Sequence, residues 1–199
     1  MKRVLLGAVL ALSAPAVTAQ HLPKLGIKGG LNIANLSSES GANLSSRLSG
    51  HGGVVVHVHL SRQWAFQPEV VYSSQGTKQR VGNNELNWNL DYLNVPFMLQ
   101  YMFGNGFRVE AGPQVGLLLS AKIKDASGST NIKNNLKEAD FGAGFGLSYL
   151  SHSGFGIGGR YNLGITSINK TGTNDLRNRV GQISVFYMFG SDHKTRTRR

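Results

Sequence analysis

The residues with which this chain could do chemistry are few and scattered. His51, Ser73, Ser148 and His152 are the side chains available for a hydrolytic centre. Such a centre needs a nucleophile, a base and an orienting group held together. None of the four sits in a recognisable nucleophile motif, so no catalytic residue is expected. His57 and His59 lie two apart on one face, a spacing that could ligate a metal. No nearby signature supplies third and fourth ligands, so both read as polar interior residues and no metal is expected. Gly154-Phe155-Gly156-Ile157-Gly158-Gly159 fits G-x-G-x-x-G, but alternation continues through Tyr161 and Leu163. Dinucleotide binding needs a helix N-terminus there, so the run reads as a glycine-rich strand and no cofactor is expected.

The charged residues form a more coherent set. Lys28, Glu69, Arg108, Glu110, Asp140 and Arg160 each fall on the polar face of an alternating segment. In a narrow, poorly hydrated interior an isolated charge is costly, so acids and bases there should pair. The expectation is a mixed-charge interior with Arg108 and Arg160 lying among the carboxylates. The competing reading places these residues near the mouths, in water.

The elements that would position them are strands. Period-two alternation is the dominant pattern. Apolar residues recur at every second position from Leu25 to Ile33, Val54 to Leu60, Trp64 to Tyr72, Leu93 to Phe103, Phe107 to Leu119, Phe141 to Tyr149, Phe155 to Leu163 and Ile183 to Phe189. That makes eight strands, several near the ten residues a tilted strand needs to cross a bilayer. Short links at Ser61-Arg62, Gly104-Asn105-Gly106 and Ser151-His152-Ser153 alternate with long polar ones at Ser37–Ser49, Ser74–Asn87, Lys122–Lys137 and Thr166–Asn178. Short turns on one side and long loops on the other suit an up-and-down membrane barrel, with both termini in the periplasm.

Trp64, Tyr101, Phe103, Phe107, Tyr149, Phe155, Tyr187 and Phe189 cluster at the short-turn end, where outward rings would form an aromatic girdle at the headgroup boundary. The polar face is rich in glycine, which suits a narrow lumen that must house long charged side chains. A soluble calyx of the lipocalin or avidin sort explains neither feature. Trp88, Leu90 and Tyr92 are apolar in the phase opposite to Leu93 onward, which predicts a bulge near Tyr92. Pro68, Pro96 and Pro113 each remove a ladder hydrogen bond from a strand.

Composition and termini set the compartment. Lys2 and Arg3, the apolar stretch Val4–Val17 and the small residues of Val17-Thr18-Ala19 make 1–19 a secretory signal peptide, with the mature chain starting at Gln20. There is no cysteine, which excludes a lipoprotein anchor and disulfides. The net charge is +11, of which +6 remains for the barrel, 20–190, once the leader and the basic tail, 191–199, are set aside. In an exported protein such charge points to lipopolysaccharide and anionic lipid. No basic stripe interleaved with aromatics points to nucleic acid. Asn35, Asn43 and Asn169 stand in N-x-S/T triplets that read as chance.

Four segments carry a family likeness. Gly26-Ile27-Lys28-Gly29-Gly30-Leu31-Asn32, Gln67-Pro68-Glu69-Val70-Val71-Tyr72-Ser73, Tyr92-Leu93-Asn94-Val95-Pro96-Phe97-Met98-Leu99 and Gly112-Pro113-Gln114-Val115-Gly116-Leu117-Leu118-Leu119 stand in order. Together they resemble the PorT-like outer-membrane β-barrel family of Bacteroidetes. The resemblance implies an outer-membrane barrel without assigned chemistry. The terminal Tyr187-Met188-Phe189 resembles the aromatic signal read by the barrel-assembly machinery, although Ser184 replaces a usual glycine and a tail follows.

The sequence therefore predicts an all-β, eight-stranded antiparallel up-and-down transmembrane β-barrel of a Gram-negative outer membrane. Its expected role is structural, adhesive or partner-binding, with protein partners at the outside loops. An eight-stranded interior is filled by side chains, so a small-solute pore is the weaker alternative and a lipid-modifying barrel enzyme the weakest.

Overall fold

The computed structural model describes residues 22–38, 44–82, 84–125, 128–170 and 175–190. The leader, its cleavage site and the basic tail fall outside the described residues, as do Asn43 and parts of the four long links. Nine strands are present among the described residues: β1 (Lys24–Ser38), β2 (Leu44–His59), β3 (Trp64–Val81), β4 (Asn84–Met102), β5 (Phe107–Asp125), β6 (Gly128–Asn131), β7 (Ala139–Leu150), β8 (Phe155–Gly164) and β9 (Leu176–Met188). Every pairing is antiparallel. Eight strands close into a ring, β1-β2-β3-β4-β5-β7-β8-β9, and β9 pairs back onto β1. The short β6 only extends β5 at the long-loop end. Closure leaves no sheet edge, as lipid requires.

Alternation sorts the side chains as the period demands. Ile27, Val54, Val70, Phe97, Leu117, Phe145, Ile157 and Ile183 point outward and are exposed. Asn32, His57, Glu69, Asn94, Gln100, Glu110, Arg160 and Gln182 point inward and are buried. The eight rim aromatics also stand on the outer surface. Trp64 packs on Tyr101, Tyr101 on Phe103, Phe107 on Tyr149, and Phe155 on Tyr187, with centroids 4.7 to 5.2 Å apart.

The short turns are tight hairpins. Phe103 N–H donates to Phe107 O at 2.8 Å, and Ser151 N–H to Phe155 O at 2.8 Å. Gly106 has φ of 94°. A Cβ there would crowd Leu150 O as well as strain the backbone, so glycine is required.

The long links differ from expectation. Residues 74–87 are not a loop: β3 runs to Val81, β4 starts at Asn84, and the two stay in register down to Val81 opposite Asn84. Similarly, β5 runs on to Asp125 and pairs with β6, β2 begins at Leu44, and β9 begins at Leu176. The reason is solvent. Above the apolar band the outer face of β3 meets water and its inner face carries the buried polar residues Gln75 and Thr77, so apolar–polar alternation disappears from the sequence while backbone pairing continues. Gly76, with φ of 124°, lies where this extension begins, and a Cβ on it would run into Trp88 O.

The bulge lies where expected but on the partner strand. Asp91 faces Ser120 and Tyr92 faces Leu118, leaving Leu119 of β5 as the extra residue. β4 keeps its phase throughout. Trp88, Leu90 and Tyr92 are therefore inward residues of an apolar lumen cap, not residues that change sides.

The prolines are accommodated one seam at a time. Cα pairing lapses between β2 and β3 around Pro68, between β3 and β4 around Pro96, and between β4 and β5 around Pro113, and each time resumes in the same register. Each proline keeps pairing with its other neighbour: Pro68 with Phe97, Pro96 with Gln114, Pro113 with Ala143. A missing N–H thus costs one local rung and no slip.

Candidate functional site

The barrel interior is the only enclosed space in which buried polar groups converge among the described residues. Its centre is a layer of four charges. Lys28 comes from β1, Glu69 from β3, Glu110 from β5 and Arg160 from β8, which are alternate strands of the ring. Inward residues of a sheared barrel reach one level from every second strand, so four side chains fill one layer.

Arg160 occupies the middle. Its Nη1 donates to Glu69 Oε2 at 2.8 Å and its Nη2 to Glu69 Oε1 at 2.7 Å, while Nε donates to Glu110 Oε1 at 2.7 Å. Lys28 Nζ donates to Glu69 Oε2 at 3.3 Å. Gln67 Nε2 donates to Glu69 Oε1 at 2.8 Å, and Gln100 Nε2 to Glu110 Oε2 at 2.7 Å. Two cations and two anions leave the layer neutral, and all four carboxylate oxygens are bonded. That arrangement is what a charge cluster out of water needs. Glycine makes the room: a Cβ on Gly146 would lie 2.8 Å from Glu110 Oε1, and one on Gly144 would meet Asn162 Oδ1 at 2.6 Å.

The other two charges of the expected set lie elsewhere. Arg108 forms no ion pair with a described carboxylate; it sits toward the short-turn end, because Glu110 is already taken by Arg160 and Gln100. Asp140 lies toward the long-loop end, accepting from Asn178 Nδ2 at 2.7 Å and Thr166 Oγ at 3.0 Å. Arg160 lies among the carboxylates, whereas Arg108 does not.

Sequence reasoning missed a polar relay in the same lumen. His51 Nδ1 lies 2.8 Å from Asn32 Oδ1 and His51 Nε2 lies 2.9 Å from Ser184 Oγ. Asn32 Nδ2 donates to Ser73 Oγ and to the carbonyls of Gly50 and Ser74, and Gln182 Nε2 donates to Asn32 Oδ1. Asn32 Oδ1 is thus an acceptor, so His51 carries its proton on Nδ1 and accepts from the Ser184 hydroxyl. The order serine, histidine, asparagine is that of a hydrolase. Its surroundings are not: Ser184 is 4% exposed, and the small cavity beside it holds about 20 Å³, room for one water. The inward placement of small polar residues at 32, 51 and 184 was the available sequence signal.

His57 Nδ1 lies 3.2 Å from Gln67 Oε1, and its ring packs edge-on to His59 with centroids 4.6 Å apart. No group of three or more metal-ligating side chains occurs among the described residues. Ser148 stands beside the small cavity, and His152 sits at the short-turn rim. The strand Phe155–Gly164 runs through the glycine motif without a helix.

The long-loop end of the lumen is capped by apolar side chains. Leu36, Leu90, Tyr92, Leu118, Ala121, Leu136 and Ile168 form one buried cluster. Leu136 and Ile168 come from the links and are tied across the mouth by Lys137 N–H to Ile168 O at 2.8 Å. The interior is thus filled at three levels: charged, polar and apolar.

A closed ring of eight tilted strands, apolar outside and polar within, defines a small outer-membrane barrel. This chain belongs to the outer membrane protein beta-barrel domain family, whose sequence profile matches residues 18–170. Among solved structures it is similar to Neisserial surface protein A, at 13% identity and a TM-score of 0.55, covering 84% of this chain and 99% of that one. It is also similar to Ail, the attachment invasion locus protein of Yersinia pestis, at 13% identity and a TM-score of 0.52, covering 85% and 100%. Among curated proteins none matches by sequence. At such identity the likeness is one of fold.

Proposed function

We propose that this chain is a plugged outer-membrane barrel that acts by presenting a stiff, basic strand protrusion to partners outside the cell. The observation that carries the reading is strand length against a filled interior. β3, β4 and β5 have 18, 19 and 19 residues, whereas β8 has 10. About ten suffice to cross the bilayer, so the excess projects roughly 20 Å as paired sheet. Lys78 and Glu85 bridge this protrusion at 3.0 Å, and Lys78 holds the Glu85 carboxyl below its usual range.

The same end is basic. Lys122, Lys124, Arg177 and Arg179 point outward and are exposed just above the apolar band. Phosphates of lipopolysaccharide or anionic lipid suit that position. The leader, the periplasmic placement of both termini, recognition by the barrel-assembly machinery and membership of the PorT-like branch of Bacteroidetes belong to the same reading. A structural or adhesive role follows from the protrusion and not from the Ail likeness. The pore and enzyme alternatives are disfavoured by the three filled levels and by the burial of Ser184.

The test shortens the protrusion. Replacing residues 76–89 with a two-residue turn leaves the barrel wall intact. Partners that co-purify with the full chain from outer membranes should be lost from this variant. Unchanged partners would defeat the reading. A steady single-channel conductance of the purified barrel would support the pore instead.

A further inference from the structure

The short-turn mouth contrasts with the neutral layer above it. Described residues 22–27, 57–67, 99–109, 148–157 and 185–190 line this end, and they contain no aspartate or glutamate. They do contain Lys24, Arg62 and Arg108, with His59 and His152. Arg62, Arg108, His59 and His152 converge on one pocket of about 420 Å³, closed in by Phe103 and Leu150.

Arg108 is the informative member. It is 8% exposed, yet it makes no side-chain hydrogen bond or ion pair among the described residues. The nearest carboxylate on its own strand, Glu110, is committed to Arg160 at 2.7 Å and Gln100 at 2.7 Å. None of its nitrogens is a fully buried orphan, so the guanidinium meets the open space of the pocket with no acceptor among the described residues. A guanidinium that lines a pocket with a second guanidinium, and with no carboxylate in that lining, is arranged for an oxyanion, because its fork matches phosphate oxygens.

The position selects the anion's source. The pocket is lined by Phe103, one of the outward rim rings that mark a headgroup boundary. Next to it, on the outer face of β5, β7, β8 and β9, runs an apolar groove of about 690 Å³, which starts at Phe103 and Phe107 and passes Leu147, Ile157 and Val185. A phosphate at the mouth and an acyl chain in that groove are the two halves of one phospholipid.

We propose that the short-turn mouth is a phosphate site for the headgroup of a phospholipid, bound by Arg108 and Arg62, with its chain in the neighbouring outer groove. The site is separate from the protrusion at the opposite end, so either reading can fail alone.

The experiment is native mass spectrometry of the refolded barrel in neutral detergent, titrated with dioleoyl phosphatidylglycerol and, in a separate arm, with inorganic phosphate. One phosphatidylglycerol should be retained per barrel. Arg108→Gln should weaken retention by about tenfold or more, the loss of one charge-assisted contact. Arg62→Gln should weaken it less, and Arg108→Lys should restore part of it. Heat-modifiable migration on gels checks that each variant is a closed barrel. Inorganic phosphate that binds as tightly as the lipid and displaces it would make the free ion the ligand and overturn the lipid assignment. Equal retention by wild type and Arg108→Gln would overturn the site.

Discussion

Glu69 and Arg160 meet across the full width of the barrel. Their strands, β3 and β8, are four steps apart in either direction around the ring, and the two side chains join through parallel hydrogen bonds of 2.7 and 2.8 Å. The pair is a strut as well as a charge contact, because it ties opposite walls with no backbone between them.

Removing one end of that strut should cost more than removing both. Arg160→Met strands Glu69 and Glu110, and about 3–5 kcal/mol of destabilisation is expected. Adding Glu69→Gln relieves one of the stranded charges and should restore part of the loss. Urea unfolding of the refolded barrel in vesicles gives the double-mutant cycle. Coupling of about 1 kcal/mol or more is expected; additive effects would show that the two residues do not act together.

The glycine face should be equally unforgiving in one direction only. Gly146→Ala puts a methyl 2.8 Å from Glu110 Oε1 and 2.9 Å from Gly159 O. Overpacking of this kind costs about 1–3 kcal/mol. The control is Gly159→Ala on the outer face, where the nearest atom is 3.9 Å away. It should be near neutral in the same unfolding assay, and equal losses would remove the lumen explanation.

Ser184 should resist covalent trapping. The folded barrel, treated with a fluorophosphonate, is expected to show no adduct at Ser184, because the residue is buried on the inner face of β9. A stoichiometric adduct in folded protein, absent from His51→Ala, would demonstrate access and revive the enzyme reading.

The two rims should be distinguishable from outside. Single cysteines at Ser45 and Asn105 can be challenged on intact cells with an impermeant maleimide. Ser45 should label and Asn105 should not. The reverse pattern would invert the proposed topology.

What could be read in the sequence was whatever lipid and lumen dictate residue by residue. Ile27, Val70 and Ile183 declare an outer face, and Lys28, Glu69 and Arg160 an inner one, because each environment rejects the other type. Which inner residues touch was not legible. Arg108 and Glu110 are neighbours on one strand face, yet the partner of Glu110 is Arg160, because shear sets the level of each strand in the barrel. The extension beyond Ser74 was hidden for the opposite reason: the inward residues Gln75, Thr77 and Gln79 are polar, as are the outward Lys78 and Arg80, so no apolar face marks the strand. The relay through Asn32, His51 and Ser184 escaped notice because Ser184 read only as a departure from a terminal motif.

The charge layer also bears on how the barrel is completed. Lys28, Glu69 and Glu110 all lie on the first five strands in chain order, and Arg160 lies on β8. Within that layer, a sheet grown only as far as β5 would hold one lysine against two carboxylates. Balance arrives only when β8 swings opposite β3 and the ring can shut on β1. The favourable electrostatics are therefore withheld until the last strands are in place. A partly built wall gains little from that layer, and the final strands close the barrel with an attraction that earlier intermediates lack.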